Sequence, residues 1–369
     1  MKVHDAWVEV NVKALRYNLL QVKTLLGPNV KVMAVVKGNG FGHGYAVPAR
    51  AFVGAGAEYL GVTRLEEAAH IRSADIQVRT LLFAPIQPES ADEALAMNLD
   101  LTVDSIRLAE VISNVASRRG LQARVHIKID TGMSRLGMPP EEFEAAFAAM
   151  SRMPSITVAG VYTHFAEAGG ADPAITRKQN ERFHTVVQKL RLHEQYPPIM
   201  HAANSAAYLR FPETRYNMVR IGTLLYGQYP GGEVPRKLTL EDTWRLKARI
   251  CTVKKLPAGS RVGYGGEFVT KRPTRMAIVP IGYADGFTMA AEGPIYRQSP
   301  LKFLAKRQKR QLTVDLHGRP VPVIGRVSMQ MTALDVTDCL EVSVGDVVTL
   351  PAMRLATNPD LPRVYIDNE

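Results

Sequence analysis

Residues 30–44 read VKVMAVVKGNGFGHG, an apolar run that ends in a lysine and is followed by closely spaced glycines. Such a run is typical of a parallel strand that is buried on both faces. Lysine is among the residues least often buried, so Lys37 requires an explanation. Either its ammonium group extends to the surface at the end of the strand, or it lies in a pocket as a reactive amine. The glycines favour the pocket, because they let the backbone approach a ligand closely.

Similar apolar runs recur along the chain, with helical patterns between them. In the segments 105–119 and 175–195, apolar residues return at three- and four-residue spacing. The predicted strands are VKVMAVV, YLGVT, RTLLFAP, LDLTVDS, ARVHIKID, ITVAGVYTH, IMHAANS and YNMVRIG. Eight alternating strand and helix units predict an α/β fold with a (β/α)8 barrel of the TIM type. Such barrels carry their active sites at the carboxyl ends of the strands, which is where Lys37 falls.

From about Pro230 the helical periodicity ends and short alternating segments begin. The stretches 275–286 and 312–336 are strand-like and contain Gly, Pro and Asp turn signals. They predict a second, mostly-β domain at the carboxy terminus. We therefore expect a barrel over residues 1–235 and a β-strand domain over residues 236–369.

Length and composition indicate a globular protein. The chain has 369 residues, 46% of them hydrophobic, and no uninterrupted apolar stretch long enough to span a membrane. Its first residues lack the apolar core of a signal peptide, which predicts a cytoplasmic protein without a membrane partner. The two cysteines, Cys251 and Cys339, show no metal-ligand spacing and predict reduced thiols and no metal site.

The net charge of +11 raises the question of nucleic acid binding. One dense basic run at 301–311 contains Lys302, Lys306, Arg307, Lys309 and Arg310. No nucleic-acid-binding module is recognisable around it, so we interpret the run as a solvated loop or hairpin tip. No nucleic acid partner is predicted.

Polar residues gather at the carboxyl ends of the predicted barrel strands. Taken singly, each has an ordinary structural explanation, such as an ion pair, a buried histidine or a helix cap. Together they suit a phosphate ligand that carries a carbonyl, and a lysine amine facing that carbonyl is the arrangement for a Schiff base to pyridoxal phosphate. These residues are Lys128, Asp130 and Arg135 at the fifth strand, His164 at the sixth, His201, Asn204 and Ser205 at the seventh, and Arg220 at the eighth.

Several motifs, in the same order, resemble those of the alanine racemases, which are pyridoxal phosphate enzymes of fold type III. AVVKGNGFGHG resembles the lysine motif of that family, KIDTGMSRLG its fifth-strand motif, and HAANSAA and VRIGTLLYG its phosphate and ring-nitrogen motifs. VGYGGEF resembles its catalytic tyrosine motif, and IGYADG and GRVSMQ resemble its carboxy-terminal motifs. Long motifs in the correct order make this resemblance specific.

The resemblance implies a racemase that interconverts L- and D-alanine, or another small amino acid, with two bases. Lys37 would hold the cofactor and act on one face of the substrate α-carbon, and Tyr264 of a second subunit would act on the other. A homodimer with shared active sites follows. Arg220 would face the pyridine nitrogen and leave it unprotonated, which should suppress transamination. His164 would bridge Arg220 to Tyr264.

The resemblance also implies how cofactor and substrate are held. Arg135 would contact the cofactor ring oxygen and the substrate carboxylate, and Lys128, which many relatives carry as a carbamate, would orient it. Tyr283 would line the entrance, and the backbone of Met329 would help to bind the carboxylate. The residues implied for the phosphate are Ser205, Gly222 and Thr223, with Asn204 as a support.

The sequence departs from the family pattern at three places. Phe41 stands where the family usually has a tyrosine that donates to the phosphate, and Gln330 replaces an acidic residue. Only 10 residues separate the segments 346–351 and 362–365, so a helix-containing segment with a second phosphate-binding tyrosine is missing. These changes predict weaker cofactor retention and a more open pocket.

Two alternative functions stay open. One is a different pyridoxal phosphate enzyme of the same architecture, such as an amino-acid decarboxylase. Those relatives use a cysteine opposite the lysine, but Cys251 and Cys339 lie outside the corresponding motif. The other is a weakly active cofactor-binding or regulatory paralogue, which the short carboxy-terminal segment and the basic run suggest.

Overall fold

The computed structural model describes residues 4–191, 197–289, 311–339 and 341–367, and the chain divides into two compact units. The barrel unit covers Val12–Thr243, and the sheet unit combines Met1–Asn11 with Trp244–Asp367. This division differs from the expected boundary between residues 235 and 236. The amino-terminal segment belongs to the sheet unit because the first strand, β1 (Ala6–Asn11), pairs with strands of that unit.

Eight strands form the sheet of the barrel unit. They are β2 (Lys31–Val35), β3 (Tyr59–Val62), β4 (Thr80–Leu82), β5 (Asp100–Val103), β6 (Ala123–Lys128), β7 (Ile156–Tyr162), β8 (Ile199–His201) and β9 (Met218–Ile221). Their order is β8-β7-β6-β5-β4-β3-β2-β9, and the paired neighbours are parallel. Between β8 and β9, the backbone N–H of Arg220 donates to the carbonyl of Ala203 at 3.0 Å. The predicted (β/α)8 barrel is confirmed.

The helices of the barrel unit are α1 (Val12–Thr24), α2 (Lys37–Gly42), α3 (Ala46–Gly54), α4 (Leu65–Arg72), α5 (Ala91–Ala96), α6 (Ile106–Arg118), α7 (Phe143–Ser151), α8 (Pro173–Leu190) and α9 (Ser205–Arg210). Helices α6 and α8 correspond to the two periodic segments noted in the sequence, the second of which is described as far as residue 191, and both helices begin after capping residues. Ser105 accepts from the backbone of Leu108, and Asp172 accepts from that of Ala174. Among the described residues, none of the helices is long and apolar enough to cross a membrane.

The short helix α2 is left-handed, which explains the glycines that follow Lys37. Residues 38–41 have φ between 53° and 63°. This conformation costs a residue with a side chain about 1–2 kcal/mol, whereas glycine adopts it readily. His43 closes the turn, because its Nδ1 lies 3.0 Å from the carbonyl oxygen of Gly40 and its Nε2 lies 2.8 Å from the hydroxyl of Thr243.

The sheet unit confirms the predicted mostly-β domain. Its strands after β1 are β10 (Trp244–Arg249), β11 (Thr252–Leu256), β12 (Arg261–Val262), β13 (Phe268–Val269), β14 (Thr274–Val279), β15 (Thr313–Leu316), β16 (Arg319–Ile324), β17 (Thr332–Asp335), β18 (Val347–Leu350) and β19 (Arg363–Ile366). Eight of them form one sheet together with β1, in the order β11-β14-β17-β16-β15-β18-β10-β1-β19, and β12 pairs with β13. The basic residues of the run at 301–311 lie outside the described residues.

The barrel interior contains an apolar cluster and a polar layer. The cluster consists of Met33, Tyr59, Leu81, Tyr162, Ile199 and Met218. Asp100 on β5, His126 on β6 and His201 on β8 are fully buried polar residues of the barrel. Gly160 on β7 makes room for the polar layer, because a Cβ added there would lie 2.5 Å from Nδ1 of His126 and 2.8 Å from the carbonyl oxygen of Ile199.

Replacing Gly160 tests this packing. Gly160→Ala should lower the free energy of unfolding by about 1–3 kcal/mol, because the methyl group overpacks the barrel interior. Urea denaturation followed by circular dichroism measures the change. Gly54→Ala is the matched control, since nothing lies within 4 Å of a Cβ added there and alanine is the better helix former. Equal stability of the two variants would contradict the packing argument.

Candidate active site

A cavity of about 560 Å³ lies at the carboxyl ends of the barrel strands. Apolar and aromatic side chains contribute much of its wall, as is typical of sites for small ligands. Nine of the twelve residues to which the resemblance assigns a role line it, whereas Asp130 and His201 from the predicted strand ends are not among the lining residues. The nine are Lys37, Lys128, Arg135, His164, Asn204, Ser205, Arg220, Gly222 and Thr223. The structure therefore brings the barrel part of the predicted site together.

Lys37 directly follows the buried residues at the end of β2. Its side chain is open to the solvent of the cavity, yet the surrounding walls desolvate the amine and lower its pKa. The charges of Arg135 and Arg220 also lower this pKa, whereas Glu67 raises it. The Glu67 carboxylate is fixed beside the turn, because it accepts a hydrogen bond from the backbone N–H of Gly38 at 2.7 Å. Lys37 is thus a more reactive amine than an ordinary surface lysine.

Lys128, the last residue of β6, is a second amine in the cavity. Burial lowers its pKa to about 7, with the charges of Arg220 and Arg135 acting in the same direction and that of Asp130 acting against it. Its Nζ lies 4.5 Å from the centroid of the Tyr162 ring. Near neutral pH, a large fraction of this amine is therefore unprotonated and able to react.

Asp130 shapes the loop that carries Arg135. One of its carboxylate oxygens, Oδ1, accepts the backbone N–H groups of residues 132–134 at 2.9–3.1 Å. Burial raises the pKa of Asp130, but these hydrogen bonds outweigh burial, and the pKa is lowered. Gly137 closes the loop at a position where a Cβ would lie only 2.8 Å from the backbone nitrogen of Asp130. The loop geometry therefore depends on a charged carboxylate and a glycine.

Arg220 on β9 is 3% exposed. Its Nη1 donates to Nδ1 and the carbonyl oxygen of His201 at 2.9 and 3.0 Å, and its Nη2 donates to the carbonyls of Thr163 and Ala202 at 2.7 and 2.9 Å. Burial lowers the pKa of Arg220 to about 10, so the guanidinium remains charged at neutral pH. Within the described part of the chain, these hydrogen bonds all use Nη1 and Nη2. The Nε–H group is left for the cavity.

His164 is held neutral beside Arg220. Burial lowers the pKa of His164 to about 2, and the charges of Arg220 and Lys128 act in the same direction. Nη2 of Arg220 lies 3.2 Å from Nδ1 of His164. Because a guanidinium can only donate, Nδ1 must be the acceptor, and the imidazole proton lies on Nε2. His164 therefore has one remaining donor, its Nε2–H.

The ends of β8 and β9 form a cradle of small polar residues. Asn204 caps α9, because its Oδ1 accepts two backbone N–H groups at 3.1 and 3.0 Å. The Ser205 hydroxyl accepts the N–H of Gly222 at 3.0 Å, which leaves the hydroxyl hydrogen for a ligand. A Cβ on Gly222 would lie 2.9 Å from Cζ of Phe41, so this ring closes the cradle. Thr223 adds a second hydroxyl at the same wall.

The other three predicted residues belong to the sheet unit. Tyr264, Tyr283 and Met329 are exposed, at 70%, 47% and 58%. Tyr264 lies between β12 and β13. Tyr283 and Met329 lie side by side, because the N–H of Tyr283 donates to the carbonyl of Ser328 at 3.1 Å and the N–H of Ala284 donates to that of Met329 at 3.0 Å.

Sequence reasoning missed the residues that support the cavity from behind. Glu67, Tyr162, Asp100 and His126 were not singled out, although the structure places all four in contact with the site or its supporting residues. A detectable signal was a polar side chain inside a strand that is otherwise buried. His126 within ARVHIK of β6 is the clearest case.

The fold and the cavity define a barrel enzyme that combines a reactive amine with cationic and hydroxyl groups suited to an anionic ligand. The model of the alanine racemase N-terminal domain matches residues 10–230, and that of the alanine racemase C-terminal domain matches residues 243–361. The chain belongs to the alanine racemase family.

Individual relatives agree with this assignment. The chain is 39% identical to an alanine racemase of Desulforamulus reducens, with 98% of each chain covered, and 37% identical to one of Methanococcus maripaludis, with 95% of this chain and 90% of the relative covered. A solved structure of an alanine racemase of Clostridium difficile 630 superposes with a TM-score of 0.90 at 29% identity, covering 100% of this chain and 97% of that one. The resemblance stated from the motifs is confirmed.

The lowered proton affinity of the two cavity lysines is testable by NMR. In protein with 13C-labelled lysine, prepared free of cofactor and of carbon dioxide, one Cε resonance should titrate with a midpoint near pH 7 and be absent in Lys128→Gln. A second resonance, absent in Lys37→Ala, should titrate below the ordinary lysine range. Exposed Lys13 serves as the control, because Lys13→Gln should remove neither resonance. The electrostatic account is wrong if every lysine titrates as a solvated amine.

Proposed function

We propose that the protein interconverts the L and D forms of alanine, or of another small amino acid, with pyridoxal 5'-phosphate as cofactor. One observation carries this proposal: a single cavity is lined by the Lys37 amine, the Arg220 guanidinium and the cradle of Ser205, Gly222 and Thr223. The relatives named above are alanine racemases, which favours alanine as the substrate.

The residues of the cavity fit pyridoxal phosphate group by group. Ser205 has a hydroxyl hydrogen to donate and lies beside Gly222, which suits the phosphate. The Nε–H of Arg220 would serve as a donor for the ring nitrogen, and Lys37 would supply the amine that binds the aldehyde. When bound, this cofactor acidifies the α-hydrogen of an amino acid attached to it.

Lys37 and Tyr264 are the two bases. With its pKa lowered, the Lys37 amine can take the α-proton of one enantiomer. Racemisation requires that a proton return to the opposite face, and we assign this step to Tyr264 of a second subunit. The Nε2–H of His164 would donate to the phenolic oxygen and stabilise its ionised form, because Nδ1 already accepts from Arg220.

Arg220 controls which reaction follows. A guanidinium with a pKa of about 10 keeps its proton at neutral pH, so it would donate a hydrogen bond to the ring nitrogen of the cofactor without protonating it. This hydrogen bond from Arg220 would disfavour transamination, because a ring nitrogen without a proton would make the bound cofactor a weaker electron acceptor. This role accounts for the choice of arginine at a fully buried position.

Arg135 and Met329 would hold the substrate carboxylate. The backbone N–H of Met329 is the proposed donor from the sheet unit, with Tyr283 beside it at the entrance. Lys128 would react with carbon dioxide to form a carbamate, since its amine is largely unprotonated near pH 7. The resulting anion would offset the charge of Arg135, which lies on the same cavity wall.

The two alternatives are weaker. The decarboxylase requires a cysteine at the reaction centre, and the family membership favours the racemase instead. Cys251 donates through Sγ to the carbonyl of Ile278 at 3.2 Å, which is an ordinary structural contact. No specific observation favours the regulatory paralogue. The following experiment would identify such a protein by the absence of turnover.

Incubation of purified protein, pyridoxal phosphate and L-alanine in heavy water tests the function. We expect D-alanine that carries deuterium at the α-carbon, detected by chiral chromatography and mass spectrometry, because the returning proton comes from solvent-exchanged side chains. Lys37→Ala and Tyr264→Phe should each abolish it. Release of carbon dioxide would indicate a decarboxylase, and bound cofactor without α-hydrogen exchange would indicate a binding protein.

Mixing the two inactive variants tests the shared site. If Tyr264 acts in the partner's cavity, a Lys37→Ala subunit paired with a Tyr264→Phe subunit has one intact site and one doubly altered site. Random pairing should then restore about a quarter of the wild-type rate. Continued inactivity, although mass spectrometry shows mixed dimers, would contradict sharing.

Replacing Phe41 by tyrosine, the residue usual in the family, should strengthen cofactor binding. The Phe41 ring ends beside Gly222, so Phe41→Tyr places a donor at the phosphate cradle. Hydrogen bonds to charged groups contribute about 1.5–3 kcal/mol, which corresponds to a gain of roughly tenfold or more in affinity. Fluorescence titration of the cofactor-free protein measures it. Ser205→Ala is the opposite control and should weaken binding, whereas unchanged affinity in Phe41→Tyr would show that the ring does not face the phosphate.

A further inference from the structure

Four buried side chains form a continuous line of hydrogen bonds behind the cavity. Arg220 Nη1 lies 2.9 Å from His201 Nδ1, and His201 Nε2 lies 3.0 Å from His126 Nδ1. His126 Nε2 lies 3.2 Å from Oδ2 of Asp100. Arg220 is at the carboxyl-end cavity, whereas Asp100 begins β5, so the line runs through the barrel interior towards the amino end of the sheet.

The direction of each hydrogen bond follows from the two ends of the line. Arg220 can only donate, which makes Nδ1 of His201 an acceptor and puts its proton on Nε2. This proton is donated to Nδ1 of His126, which in turn donates its own Nε2–H to Asp100. Both imidazoles are then neutral Nε2–H tautomers. Burial and the charge of Arg220 also lower the pKa of His201 far below its usual value, in agreement with a neutral ring.

Asp100 is built to stay an anion at the far end. Its side chain is completely buried, which raises its pKa, but the hydrogen bond from His126 and the charges of Arg124 and Arg79 outweigh burial and lower the pKa. Arg124 Nε donates to Oδ1 at 3.2 Å, and the hydroxyl of Tyr59 donates to Oδ2 at 3.3 Å. The carboxylate thus accepts from three sides.

We propose that Asp100 is a positioning residue for Arg220: through His126 and His201 it fixes the direction of the hydrogen-bond line, holds the guanidinium in place and directs its Nε–H into the cavity. The proposal rests on the function proposed above for Arg220. It extends the active site to a residue at the amino end of the barrel strands that touches neither cofactor nor substrate.

The opposite tautomers show why the carboxylate matters. Without an acceptor at Nε2, His126 is free to carry its proton on Nδ1 and donate it to His201. His201 would then carry its own proton on Nδ1, facing the N–H of Arg220. Two donors in contact repel each other, and a buried charged donor without an acceptor is costly. Arg220 would have to turn away from His201, and its Nε–H would lose its direction.

Four variants test this line, read first by 15N NMR of labelled histidine in the cofactor-free protein. The wild type should show neutral Nε2–H tautomers for His126 and His201. Asp100→Leu and His126→Leu should give the Nδ1–H form or a mixture at His201. His126→Gln should preserve the tautomer of His201, because its amide can accept from His201 and donate to Asp100. Thr80→Val removes a different buried hydroxyl of the barrel and controls for general destabilisation.

The second measurement is the ratio of the rate of cofactor transamination to the rate of racemisation in the enzyme with bound cofactor. Relative to Thr80→Val, both leucine variants should racemise about ten- to hundredfold more slowly, as expected from one misplaced charge-assisted hydrogen bond, and should lose more cofactor to the amine form per turnover. His126→Gln should recover most of the rate. A loss without any change in this ratio would indicate a merely structural role and overturn the proposal.

The two proposals fail in distinguishable ways. If the wild type racemises alanine but His201 carries its proton on Nδ1, the hydrogen-bond line is wrong and the proposed function stands. If both tautomers are as expected but the wild type exchanges no α-hydrogen, the proposed function fails, and with it the role assigned to Asp100. If Asp100→Leu does not fold, the comparison of His126→Leu with His126→Gln decides the matter.

Discussion

A charged guanidinium that is almost completely buried sets the conditions for the rest of the site. Removing such an ion from water costs several kcal/mol, which must be offset by well-formed hydrogen bonds. Arg220 donates to three backbone carbonyls and two imidazoles, and because it can only donate, each imidazole nitrogen facing it must be an acceptor. The geometry therefore identifies the Nε2–H tautomer at both His164 and His201, and at His201 we propose that Asp100 maintains it. A lysine at this position would have only three N–H donors and could not reach the same set of acceptors in one plane.

The position of the reactive amine of Lys37 is set by the geometry of the backbone around it. Strand β2 is buried, and the chain then turns left-handed for four residues before it continues into α3. Such a turn ends the strand abruptly and leaves Lys37 at the cavity. Glu67 secures this arrangement, because its two carboxylate oxygens accept backbone N–H groups of Gly38 and Thr63, both at 2.7 Å. The same carboxylate is the nearby negative charge that raises the pKa of Lys37 against burial and the arginines.

The sequence predicted the eight barrel strands and most of the polar residues that line the cavity, because parallel strands are continuous apolar runs and their polar ends meet at one face. The pairing of β1 with β10 and β19 was not predictable, since no local pattern records a partner more than 200 residues away. Closely spaced glycines indicated an unusual backbone but not its left-handed sense. The line from Asp100 to Arg220 also escaped prediction. It depends on the register of β5 and β6, which sets Asp100 opposite Arg124 and Thr102 opposite His126.

Four basic side chains line the cavity, and the proposed chemistry places two opposing requirements on their charge. Positive charges attract a phosphate and a carboxylate, yet Lys37 must lose its proton to react with an aldehyde. Both requirements are met, because burial and the charges of Arg135 and Arg220 lower the pKa of Lys37. The two guanidinium groups remain charged and available to bind an anion. Lys128 is only partly available as a cation for an anionic ligand, because burial and the charges of Arg220 and Arg135 lower its own pKa to about 7. Conversion of Lys128 to a carbamate would replace a repelled cation by an anion near Arg135, so the burial and the neighbouring charges that lower the pKa of Lys128 also prepare it for that modification.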